Sequence, residues 1–123
     1  LLAAAGVDTT RDGLWHLTTA GAVEHMGTDG WPALEVMQAR VGGYVEHVAV
    51  SVGDRPAHLL LNEDGRAMRL PVNALASAVH AEHHLRQLRA YERLDLGARR
   101  ALTRALDVFG DVLLWVGHVP PDA

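Results

Sequence analysis

Residues 42–73, GGYVEHVAVSVGDRPAHLLLNEDGRAMRLPVN, constrain the fold more than any other part of the chain. From Tyr44 to Val52 the side chains alternate. Val45, His47, Ala49 and Ser51 fall on one side; Tyr44, Glu46, Val48, Val50 and Val52 fall on the other. A period of two is the mark of a β-strand. Gly53-Asp54-Arg55-Pro56 supplies turn chemistry and Ala57 to Leu61 returns as a second strand, so the pair reads as a hairpin. Asn62-Glu63-Asp64-Gly65 is a second tight turn, with Gly65 expected in the left-handed region. Ala67 to Leu70 reads as a short strand that ends at Pro71. Asn73 then caps a helix carrying Leu75, Ala76 and Val79.

The stretch also holds the only two Asn of the chain, Asn62 and Asn73. The chain has no Lys and no Ile, a bias that also drains Asn. Two Asn kept within twelve positions point to sites where the amide side chain matters.

The flanking segments complete the order. Residues 1–13 form a lead-in ending in turn chemistry, DTTRDG. Leu14 to Thr19 is rich in β-formers and reads as a first strand. Ala20 to Met26 is open between strand and helical turn. Trp31, Leu34, Met37, Gln38 and Val41 recur at helical spacing, with Asp29 as the expected N-cap and Pro32 in the first turn. Gly42-Gly43 stops that helix. Residues 80–106 read as helical, broken near Leu94-Asp95-Leu96-Gly97, where Asp95 can cap a new segment. Val112 to Val116, VLLWV, is an apolar run that suits a strand buried on both faces. The expected architecture is α+β. A small mixed or antiparallel sheet of four to five strands carries helices on one face, with a helical insertion before the last strand.

At 123 residues the chain fits one domain, 1–123, large enough for a real core. It has no Cys, which excludes disulfides, thiolate nucleophiles and Cys-based zinc sites. No apolar run approaches the roughly 18 residues of a membrane span, so no membrane partner is expected. The first residues lack Met and the charged region of a signal peptide. They read as a fragment boundary, and a cytoplasmic location is the default. The formal charge is −4, from 11 Arg against 15 acids. That balance argues against nucleic acid as a partner. The local exception is the arginine series Arg86, Arg89, Arg93, Arg99, Arg100 and Arg104.

Taken in order, the motifs resemble those of the DUF3846 family, a domain of unknown function. They are the helix Leu34 to Val41 running into Gly42-Gly43-Tyr44-Val45-Glu46, then Asn62-Glu63-Asp64-Gly65-Arg66, Leu70-Pro71-Val72-Asn73 and Phe109-Gly110-Asp111-Val112. The resemblance covers about Leu14 to Gly117. It implies an accessory protein of a phage, plasmid or actinobacterial genome with no assigned reaction. The stretch 80–106 departs from the family pattern as an insertion, which fits a lid, a dimerising arm or a lineage decoration.

Candidate site residues follow from these motifs. Tyr44, Glu46, Asn62, Glu63 and Asn73 could converge on a small polar ligand or a host protein. The alternative is architectural: Asn in a turn bonds its own backbone, and Asn73 is a helix cap. His80, His83 and His84 sit one helical turn or less apart, the spacing of a helical metal pair; a complete site needs a third ligand from another element, such as His58 or His118, and the spacing is not that of a zinc protease. No nucleotide loop or nucleophile elbow occurs, and no cofactor is implied. The favoured reading is a non-enzymatic binding protein that could self-associate through the apolar stripe of its inserted helices. Two alternatives stand beside it: an enzyme using Glu46 or Glu63 as general acid/base, and a nucleic-acid module using the Arg86–Arg104 helices. Trp15, Trp31 and Trp115 are expected in the core.

Overall fold

The last strand of the chain lies at the centre of the sheet. In the computed structural model, which describes residues 1–87 and 93–121, β5 (Val112–Val116) runs between β1 (Gly13–Leu17) and β4 (Arg55–Asn62). It is antiparallel to both, with Trp15 opposite Leu114 and His58 opposite Trp115. Outside these lie β2 (Val23–Gly27), paired with β1, and β3 (Val45–Val52), paired with β4. The result is a five-stranded antiparallel sheet in the order β2-β1-β5-β4-β3. The α+β architecture expected from the sequence is the one observed.

The helices occupy both faces of this sheet instead of one. Helix α1 (Leu34–Val41) brings Met37 against Leu14, Leu60, Leu113 and Trp115. Helix α2 (Ala74–Gln87) brings Ala76 and Val79 against the opposite face, where Leu17, Val50, Leu59, Val112 and Leu114 lie. The run VLLWV explains why. Alternate residues of β5 point to opposite faces, and all five are buried. A strand that is apolar on both sides needs a cover on both sides, and each buried Val or Leu is worth about 1.5–3 kcal/mol.

Local chemistry sets the boundaries. The β3–β4 hairpin turns on Gly53 and Asp54 alone. Gly53 takes φ 64 at the first turn position, as a type II′ turn requires. Pro56, read as part of the turn, lies inside β4 opposite Ser51. The open segment Ala20–Met26 resolves into β2. Helix α1 starts later than expected, with Ala33 as an N-cap that makes no side-chain bond, so Asp29 is not its cap. Trp31 is drawn instead to the α1 face of the sheet, edge-on to Trp115 at 6.5 Å. Gly42 ends α1 at φ 79, its N–H donating to the Gln38 carbonyl.

Residues 67–70 are not a strand. The chain closes there in a helical-type turn, with Leu70 N–H donating to the Gly65 carbonyl and Arg69 N–H to that of Arg66. Arg69 takes the left-handed conformation, φ 56, while Gly65 does not. Gly65 is required for space: a Cβ there would stand 2.8 Å from the Phe109 carbonyl oxygen. Helix α3 (Leu96–Ala105) is capped by Asp95, which accepts from Ala98 N–H at 2.8 Å. The part of the expected helical run over 88–92 lies outside the described residues. Trp15 and Trp115 are in the core, and Trp31 is half-buried.

Candidate functional site

The two asparagines act on backbone. Asn73 is fully buried. Its Oδ1 accepts from Ala76 N–H at 3.1 Å, which caps α2. Its Nδ2 donates to the carbonyls of Leu17 and Gly110, both at 3.0 Å. One side chain thus ties the end of β1, the entry to β5 and the start of α2. Asn62 is also buried; it donates to the Val41 carbonyl and accepts from Asp64 N–H. Primary amides satisfied in this way brace the frame, because an unpaired buried carbonyl would cost about 1–3 kcal/mol.

Above that frame opens a cleft of about 470 Å³. Glu46 and Val48 reach it from β3, and Leu61, Asn62 and Glu63 from the end of β4. His80 and His84 reach it from α2, and Asp107, Val108 and Phe109 from the segment after α3. The cleft therefore gathers Glu46, Asn62 and Glu63 of the expected ligand-binding set together with His80 and His84 of the helical histidine cluster. Two members of that set stand elsewhere. Tyr44 does not line the cleft; the residue is 70% exposed, and its carbonyl accepts from Glu63 N–H. Asn73 lies in the core.

The chemistry of the cleft is acidic over an apolar floor. Glu46, Glu63 and Asp107 make no ion pair among the described residues. Arg66 also lines the cleft, its guanidinium 4.7 Å over the Phe109 ring and donating to the Arg104 carbonyl, and it forms no ion pair with these carboxylates. His80 Nδ1 donates to the Leu106 carbonyl at 2.8 Å, which leaves Nε2 as its second ring nitrogen. His84 stacks edge-on to His80, ring centres 4.7 Å apart. Burial and the neighbouring His80 and His83 hold its pKa below the ordinary 6.5, so at pH 7 it is neutral.

The three helical histidines do not converge. His83 turns toward β3, its Nδ1 3.0 Å from Ser51 Oγ, while His80 faces the end of α3. Among the described residues no three His, Asp or Glu side chains are placed to hold a metal ion.

The sequence reading missed Arg66, Asp107 and Phe109 as cleft residues. The available signal was modest: Phe109 is the only Phe of the chain, and Arg66 follows directly on the NEDG turn. A second polar cluster was also missed. His16, buried in β1, has Nε2 3.3 Å from Asp111 Oδ2 and Nδ1 3.4 Å from Arg40 Nη1. Arg40 in turn reaches Glu24 at 3.3 Å. This group pins α1 to β1 and β2.

No protein-family model, curated protein or solved structure matches the chain. Among the described residues no helix is long and apolar enough to cross a membrane.

Proposed function

We propose that the protein is a non-catalytic binding module whose cleft takes a small polar ligand bearing an amine or guanidinium group. One observation carries this reading. Three carboxylates, Glu46, Glu63 and Asp107, form no ion pair among the described residues and line a cleft with Val48, Leu61, Val108 and Phe109, where Arg66 is the one arginine and lies over the Phe109 ring. Carboxylates lining one cleft set up a negative potential there, which favours a cationic ligand. The apolar floor suits a methylene chain attached to the charged head. Neutral His84 adds a ring nitrogen able to accept from an ammonium. The accessory role that the DUF3846 resemblance implies accords with binding in place of catalysis.

Titration of spermidine, agmatine and free arginine by calorimetry tests the reading, with glutamate and glucose as controls. The cations are expected to bind and the controls to be silent, and Glu46→Gln with Glu63→Gln is expected to abolish the heat. Equal response to cations and controls, or no response to any cation, would overturn it.

A further inference from the structure

Helix α3 has no buried residue. Helices of ten residues are marginal in water without packing, and among the described residues only Arg99 and Leu102 of this one are half-buried. One stripe of it is built for contact. Leu96, Arg100 and Arg104 recur every fourth residue, and Leu96 is 61% exposed. Arg100 and Arg104 form no ion pair among the described residues.

The charge is segregated along the chain. Four of the 11 Arg lie between positions 93 and 104, with Asp95 the one acid among them. The other seven Arg share the rest of the chain with 14 acids. The arm is cationic and the body anionic. Three acids without an ion pair among the described residues, Glu46, Glu63 and Asp107, line one cleft, and α3 runs directly into it, since Ala105 and Asp107 form part of its wall.

We propose that α3 of one copy lies in the acidic cleft of a second copy, and that the second returns the same contact. Leu96 meets the apolar floor, and Arg100 and Arg104 meet Glu46 and Glu63. The proposal rests on the reading of the cleft as a cation site. Two-fold exchange is the closed form of such a contact, and arm and cleft adjoin, since the end of α3 forms part of the cleft wall. An unreturned contact would run on into a filament. Using the contact twice also moves a short helix toward the roughly 1,200 Å² that a specific dimer needs. A small cationic ligand and the second copy then compete for the same carboxylates.

The test is sedimentation equilibrium of the full chain at low and high salt. The wild type is expected to dimerise, with a dissociation constant that rises about tenfold or more in high salt, where exposed charges are screened. Two variants, Arg100→Glu with Arg104→Glu and Glu46→Arg with Glu63→Arg, change exposed side chains, and circular dichroism checks that each folds. Each alone is expected to be monomeric. Mixed, they are expected to dimerise, because one half-contact is then wild-type and the other is charge-reversed. A wild type that stays monomeric at its highest soluble concentration overturns the proposal. So does a mixture that stays monomeric, or a wild-type oligomer that survives both variants. A monomeric wild type that still binds spermidine removes the dimer alone. A salt-sensitive dimer that binds no amine supports the dimer and removes the small ligand.

Discussion

The side-chain nitrogen of Asn62 lies 3.2 Å from the carbonyl oxygen of Val41, so the end of the β3–β4 hairpin holds the last turn of α1. Gly43 passes directly over this bond. A Cβ on Gly43 would stand 2.9 Å from Asn62 Nδ2, closer than real contacts allow. The two glycines after α1 therefore do different work. Gly42 supplies a left-handed turn, and Gly43 supplies room for an amide.

This contact predicts a coupling. Gly43→Ala is expected to lose about 1–3 kcal/mol by crowding, and Asn62→Ala a similar amount by leaving the Val41 carbonyl and the Asp64 N–H unpaired. In the double variant the new methyl fills part of the space left by the amide. Its loss is expected to fall short of the sum by about 1 kcal/mol. Urea denaturation of the four proteins measures the cycle, and strict additivity would show that the two sites are independent.

Asn73→Asp should be worse than its small change in shape suggests. Aspartate keeps the cap to Ala76 but turns an acceptor toward the carbonyls of Leu17 and Gly110, where the amide donated. Burial and two facing carbonyls raise the pKa of the introduced carboxyl. Stability is then retained below the unfolded carboxylate value of about 3.9 and lost as pH rises through the folded one. A loss of roughly 3 kcal/mol is expected at neutral pH, shrinking in acid relative to wild type. Denaturation at two pH values reads this; a loss that does not depend on pH would contradict it.

Arg69 offers a change in the other direction. It is the only non-glycine residue with positive φ among those described, and its side chain is exposed. A left-handed conformation costs a side-chain-bearing residue about 1–2 kcal/mol. Arg69→Gly removes that cost while loosening the unfolded chain, so a net gain of about 0.5–1 kcal/mol is expected. An unchanged or lowered melting temperature would count against the strain.

The hairpin, the α1 stop, the Asn73 and Asp95 caps and the last strand were legible because each is written in local chemistry. Alternation, a glycine after a helix, and an oxygen-bearing side chain before one all act within a few residues. What the sequence hid was set over long separations. The central place of β5 depends on pairing Val116 with both Gly13 and Ala57, which no local window shows. The two-sided sheet was implied by VLLWV, yet the face taken by α1 was not. Residues 67–70 looked like a strand because Ala-Met-Arg-Leu is apolar enough for one. The turn bond from Leu70 to Gly65 decided otherwise. Glu46 and Glu63 were legible as a pair because they flank a hairpin end. His84 joins them only through the packing of α2, and Asp107 only through the path of the chain after α3.

His58 makes the fold sensitive to mild acid. It is half-buried in β4, its Nδ1 2.5 Å from His47 Nε2, and Trp31 packs edge-on against both rings. Burial first, then His47 and His118, lower its pKa below 6.5, against a smaller opposing bond from the Gly117 backbone. A base whose folded pKa is depressed binds fewer protons when folded than when unfolded. Stability is therefore complete above the unfolded value of 6.5 and declines as pH falls from there toward the folded value, below which it levels. His84 shifts in the same direction but is exposed, so solvent weakens its share. The melting temperature is expected to hold from about pH 8 to 7 and to drop below about 6.5. His58→Gln is expected to remove most of that slope, whereas a variant that keeps the full slope would place the sensitivity elsewhere.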